Sequence, residues 1–197
     1  MRVAARFLLA ATSVDHFPVP MLPEIAFLGR SNVGKSSVIN SLLGEKMAKT
    51  SSVPGRTRSI NFFQVRRPGK PAAEMLFVDL PGYGYAKVSK EISAEWPSFI
   101  EPYLERRPTL VLCVVMVDTN IAPQASDAEL LAWLRLKQRP FVVVGTKSDR
   151  ISNNVLSNAM RKLKEELQVE NLLPFSTKTG EGKAELWREI REAARLG

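Results

Sequence analysis

The sequence predicts an α/β fold of three layers: a mostly parallel six-stranded sheet with one antiparallel edge strand and helices on both faces. Three observations predict it. Short apolar runs alternate with segments of helical periodicity. The run Leu110–Val117 is almost wholly apolar, as expected of a strand covered on both sides. Ile60–Val65 and Glu74–Asp79 are joined by Arg66–Ala73, a link holding Pro68, Gly69 and Pro71, which reads as an antiparallel hairpin.

Taken in order, strands are expected at Glu24–Gly29, Ile60–Val65, Glu74–Asp79, Leu110–Asp118, Phe141–Gly145 and Leu172–Phe175. Helices are expected at Gly34–Leu43, Glu91–Arg106, Asp127–Lys137, Asn154–Gln168 and Ala184–Leu196. Pro97 and Pro102 imply a break or kink in the second of these. In the last, Leu186, Ile190 and Ala193–Ala194 recur at helical spacing. Residues 1–22 read as an N-terminal arm or docked edge strand, and 23–197 as a single domain. Two loops, Gly44–Ser59 and Pro81–Lys90, are long for a compact domain, and such loops are commonly functional.

Bulk properties narrow the classes. The chain has 197 residues, 45% hydrophobic and 24% charged, an ordinary globular mix. No apolar run reaches the roughly 18 residues that span a bilayer. Val3–Ala11 is short and lacks a signal-cleavage pattern, so a cytoplasmic protein without membrane contact is expected. Cys113 is the sole cysteine and His16 the sole histidine, which excludes a disulfide framework and a multi-histidine metal site. The net charge of +8, concentrated in residues 1–60, favours polyanionic partners such as RNA.

The chemistry begins at Gly29-Arg30-Ser31-Asn32-Val33-Gly34-Lys35-Ser36, which fits G-x-x-x-x-G-K-[S/T]. A strand enters it and a helix, opening at Ser37, leaves it, as this phosphate loop requires. Gly29 and Gly34 permit close backbone approaches, and successive N–H groups are expected to point inward as an anion nest. The following helix aims its positive end at the phosphates. Lys35 is expected to reach the β- and γ-phosphates. The Ser36 hydroxyl is expected to ligate Mg²⁺, a hard ion shared with phosphate.

Asp79-Leu80-Pro81-Gly82 ends a strand about 45 residues after this loop. Asp79 can hold Mg²⁺, through water, and Gly82 can bring its N–H to the γ-phosphate. In Pro54-Gly55-Arg56-Thr57-Arg58, followed by Ser59, the Thr57 hydroxyl is expected to join the metal only while the γ-phosphate is present. Lys35, Thr57 and Gly82 are therefore the candidate catalytic groups.

Base choice follows from Thr146-Lys147-Ser148-Asp149 and Phe175-Ser176-Thr177-Lys178, each at a strand end. A carboxylate at Asp149 matches the two adjacent donors of guanine, N1–H and the exocyclic amine. Adenine offers an N1 lone pair instead, and a mismatched buried polar site can cost a factor of about 10⁴. The Lys147 stem can lie along the purine, and backbone amides after Phe175 can meet O6. Singly, each tetrapeptide reads equally as a helix cap; their order and positions jointly favour GTP and GDP.

These residues carry a resemblance. Gly29–Ser37, Pro54–Arg58 with Asn61-Phe62-Phe63, Asp79–Ala86, Thr146–Asp149 and Phe175–Thr177 together resemble the YihA/EngB-type GTPases of the bacterial TrmE–Era–EngA–EngB–septin class. The resemblance covers roughly residues 20–195. It implies a P-loop GTPase that assists assembly of the large ribosomal subunit, works as a monomer, and is needed for normal cell division and septation. It also implies K⁺ coordination at Asn32. Thr146 stands where most small GTPases place Asn, which is expected to weaken the tie between base loop and phosphate loop. Tyr83 follows Gly82 where Ras-like proteins have Gln, so slow intrinsic turnover is expected. A trafficking GTPase fits less well, since Arg195-Leu196-Gly197 is no prenylation box and Arg2 is not a myristoylation glycine.

Overall fold

The computed structural model describes residues 3–48, 59–83 and 98–196. Its strands are β1 (Ala4–Ala11), β2 (Glu24–Gly29), β3 (Ile60–Arg66), β4 (Met75–Asp79), β5 (Leu110–Asp118), β6 (Phe141–Thr146) and β7 (Leu172–Phe175). Its helices are α1 (Lys35–Leu43), α2 (Ile100–Arg106), α3 (Ala125–Leu136), α4 (Asn153–Leu167) and α5 (Lys183–Ala193). The apolar runs bounded by turn residues thus become strands, and β2, β5 and β7 keep their expected limits.

The described sheet has the order β1-β3-β4-β2-β5-β6-β7. Strands β4, β2, β5, β6 and β7 pair in parallel, while β3 is antiparallel to both β4 and β1. Seven strands replace the expected six because the N-terminal segment docks as β1, with Ala4 opposite Arg66 and Ala11 opposite Ile60. The reversed strand is therefore β3, and β1 forms the edge outside it. The alternating fill of β5 explains its apolar run. Cys113, Val115 and Val117 face a core built with α2, α3 and α4. Leu112, Val114 and Met116 face the other, with Ile39 and Leu42 of α1 and Leu186, Trp187 and Ile190 of α5.

Pro102 does not break its helix. It lies in the first turn of α2, where a missing N–H costs nothing. The expected start of that helix, 91–97, lies outside the described residues.

The topology also places the site. Strand β2 lies between β4 and β5, so the chain's connections diverge to either side of its carboxyl end. Ligands of open α/β sheets bind at such a switch point. Gly29, Asp79, Asp118, Thr146 and Phe175 close their strands along this one edge.

Candidate functional site

The phosphate loop leaves β2 at Gly29 and enters α1 through Gly34, whose φ of 107° lies in the left-handed region. The nest is only partly formed as expected. The Ser31 N–H donates to the Tyr83 carbonyl (3.1 Å) and the Val33 N–H to the Arg30 carbonyl (3.1 Å). The amides of Lys35, Ser36 and Ser37, in the first turn of α1, have no carbonyl four residues back within the helix. They and the helix dipole make the positive end of the site.

Lys35 Nζ pairs with Asp79 Oδ1, with 11% and 6% of the two side chains exposed. The expected phosphate cation and the expected metal-side carboxylate are thus neighbours. Beyond Asp79, Leu80 and Pro81 are buried and Gly82 is exposed. A Cβ on Gly82 would lie 3.0 Å from both the amide nitrogen and Oγ of Ser31. The absence of a side chain at Gly82 lets this segment lie close to the phosphate loop, since a Cβ there would press on Ser31. Ser59 Oγ donates to Asn61 Oδ1 (3.3 Å), and Asn61 pairs with Asp79 across the β3–β4 ladder. Gly55, Arg56, Thr57 and Arg58 lie outside the described residues.

The second loop cluster lies across α1. A cavity of about 670 Å³ is lined by Gly34, Ser37 and Val38 on one side and by Thr146, Lys147, Asp149, Phe175 and Thr177 on the other. The exposed Asp149 carboxylate accepts from Ser176 Oγ (2.7 Å), which holds its carboxyl below the usual range. Ser176 is fully buried and its Oγ also accepts the Lys178 and Thr179 amides, each at 3.1 Å. Ser148 is buried and turned away from the cavity, donating to Glu181 Oε2 at 2.6 Å.

Thr146 joins the two loops directly. Its Oγ1 lies 2.7 Å from the Val33 carbonyl and 3.1 Å from that of Val117. The hydroxyl thus ties the base loop to the phosphate loop. Lys147 reinforces it: its Nζ donates to the Asn32 carbonyl at 2.9 Å. Asn32 itself is exposed, with φ 66°.

Known proteins match this arrangement. The family profile described as "50S ribosome-binding GTPase" matches residues 24–147. A probable GTP-binding protein EngB of Koribacter versatilis is 62% identical over 98% of this chain and 96% of its own. The chain belongs to the EngB family of GTP-binding proteins. Like that family it is a GTPase. A crystal structure of a probable EngB matches with a TM-score of 0.67 and 25% identity, covering 88% of this chain and all of the other. Era, solved with MgGDPNP and a 16S ribosomal RNA fragment, matches at 0.68 and 27%, over 87% of this chain and 56% of its own.

In this EngB-family chain several site neighbours escape a reading of the motifs. Asp118 Oδ2 accepts from Lys147 Nζ (2.5 Å) and Oδ1 from the Asn120 amide (2.9 Å). Burial raises the Asp118 pKa, and these donors more than offset it, so the carboxyl ionises below its usual range. The available signal is its position: like Asp79, it is an acid ending an apolar strand. Glu181 closes the last loop, its carbonyl accepting the Ser176 amide (3.1 Å). Gly182 follows with φ 75°, where a Cβ would lie 1.9 Å from the Pro174 carbonyl oxygen. Arg150 and Lys178 add positive charge to the cavity wall.

Proposed function

We propose that this GTPase is a Mg²⁺-dependent switch that acts in assembly of the large ribosomal subunit and thereby in cell division. The observation that supports the switch is the packing of Gly82 on Ser31 at the phosphate loop; in this reading the Gly82 amide senses the γ-phosphate. In this reading GTP lies with guanine on Asp149 and its phosphates along the first turn of α1. Asp149 selects the base through N1–H and the amine. Lys147 covers the purine, with its ammonium anchored on Asn32 and Asp118.

The donor set fits Mg²⁺: a serine hydroxyl and one buried carboxylate, Ser36 and Asp79, beside phosphate oxygens. Among the described residues no cluster of three His, Cys, Asp or Glu forms a self-sufficient metal cage. Mg²⁺ supplies charge neutralisation on the β- and γ-phosphates when bound. Lys35 then exchanges Asp79 for phosphate oxygen and, with Gly82 and the α1 amides, stabilises the charge spread in phosphoryl transfer. Thr57 belongs to the same reading as the hydroxyl that engages with GTP. Asn32, exposed at the loop's turn, is the proposed K⁺ ligand. Equal turnover in KCl and NaCl at one ionic strength would remove that ion from the mechanism.

The ribosomal role is supported by the description of the matching family profile, by the ribosomal RNA in the Era complex, and by the net charge of +8. No helix of the described residues is long and apolar enough to cross a membrane. The deciding experiment is phosphate release from GTP with and without purified large subunits. Stimulation by large but not small subunits is expected. Equal rates in all three conditions would sink the ribosomal part. Calorimetry showing ATP bound as tightly as GTP would sink the base assignment.

A further inference from the structure

Tyr83 occupies the position after Gly82, next to the proposed phosphate site, yet its side chain is 3% exposed and points inward. Its phenol donates to Asp127 Oδ1 at 2.9 Å. Asp127 lies in the first turn of α3 and is also 3% exposed. An acid in a helix's first turn already gains from the dipole at the surface. Burying it adds a desolvation cost, so stability alone does not explain the contact. The backbone of Tyr83 is held as well. Its carbonyl accepts the Ser31 amide, and residues 83 and 30 form a parallel bridge. Arg30, the other half of that bridge, has a buried Nε with no hydrogen-bond partner among the described residues, and its charge acts on both Tyr83 and Asp127. Phosphate loop, Gly82 segment and α3 therefore meet at one buried cluster.

We infer that Tyr83 is a positioning residue: its phenol hung on Asp127 and its carbonyl bonded to Ser31 together hold Gly82 beside the phosphate loop, which favours GTP over GDP. The inference rests on the switch reading above. GDP has no γ-phosphate for the Gly82 amide to meet, so loosening the segment penalises GTP alone. The phenol is turned away from the phosphates and takes no part in orienting water. The same linkage makes α3 sense the γ-phosphate, since any movement of Gly82 pulls on Asp127.

The test is calorimetry on the nucleotide-free full chain with Mg²⁺, using a non-hydrolysable GTP analogue and GDP. Tyr83→Phe removes only the hydroxyl. It is expected to weaken the analogue about tenfold, the order of one buried hydrogen bond, while GDP stays within about twofold. Asp127→Leu should reproduce that loss. Asp127→Asn keeps an acceptor for the phenol and should restore the parent ratio at pH 7. Asn and Leu compared at this site carry the test even where Tyr83→Phe folds poorly, with circular dichroism checking each fold. An analogue-to-GDP ratio unchanged in Asp127→Leu, or equal losses for both nucleotides, overturns the positioning role and leaves the switch reading standing. A parent protein that binds neither nucleotide overturns both.

Discussion

The two ends of the sheet each bury an acid against a base, and the pairs differ in how fully they are satisfied. At the amino end of β2, Glu24 is fully buried. Its Oε1 accepts from Arg107 Nε (2.9 Å), Arg107 Nη2 (2.6 Å) and Thr109 Oγ1 (2.8 Å), and its Oε2 from the Tyr103 phenol (2.8 Å). Arg107 Nη2 also reaches the Pro18 carbonyl at 2.6 Å, clamping the segment that returns from β1. At the carboxyl end, among the described residues, the Asp79 carboxylate takes Lys35 alone. A carboxylate with four donors has nothing left to recruit. One with a single donor keeps lone pairs for an incoming ion, and its partner keeps donors for phosphate. The saturated pair is structure, and the unsaturated pair stays open for the proposed phosphate and ion.

Breaking the first pair should cost most. Glu24→Ala strands a buried guanidinium, and urea unfolding is expected to show a loss of about 3–5 kcal/mol, with the GTP-to-GDP affinity ratio unchanged in protein that folds. A shifted ratio would mean the clamp reaches the site. Breaking the second pair should cost function: Lys35→Ala is expected to lower phosphate release about 10²–10³-fold in saturating Mg²⁺. A loss under about fivefold would remove Lys35 from transition-state stabilisation.

A third acid sharpens the contrast through pH. Burial pushes the Asp127 carboxyl up from 3.8 to about 6, with Tyr83 and Arg30 opposing the rise. Between those values the fold holds a proton that the unfolded chain has released. Asp127 therefore stabilises fully below about pH 4, and its contribution is lost as pH rises through 6. Two pKa units correspond to about 3 kcal/mol. The gain in unfolding free energy on Asp127→Asn should thus be larger at pH 7.5 than at pH 4.5, and an equal effect at both would refute the shift. The smallest effect belongs to Thr146. Thr146→Val loses the bond to Val33 and should speed GDP dissociation by about tenfold in stopped-flow, while Thr146→Ser should stay near the parent.

Much of this was legible from residue order. Apolar runs between turn residues set β2, β5 and β7, because a strand covered on both faces admits few polar positions. The described motif residues after β2, β4, β6 and β7 converge on one edge because each follows a parallel strand. Edge strand β1 was only one of two readings, since Ala4–Ala11 does not alternate cleanly and a bulge between Phe7 and Leu9 shifts its register. The partners Glu24–Arg107, Tyr83–Asp127 and Lys147–Asp118 were not legible. They join residues 83, 44 and 29 positions apart, and nothing local marks them. The partner of Thr146 was hidden for the same reason: side-chain type was visible, but the 2.7 Å approach of the Val33 carbonyl was not.

The loop after β7 is folded onto itself. The Ser176 amide reaches Glu181, the Gly180 amide returns to Ser176, and the missing side chain of Gly182 lets the turn press on Pro174. Its conformational entropy is surrendered when the chain folds, so under the proposed reading a guanine meets a finished mould and owes little for ordering it. One added methyl at Gly182 would pry that mould open from behind, against the Pro174 carbonyl and the Phe175 backbone.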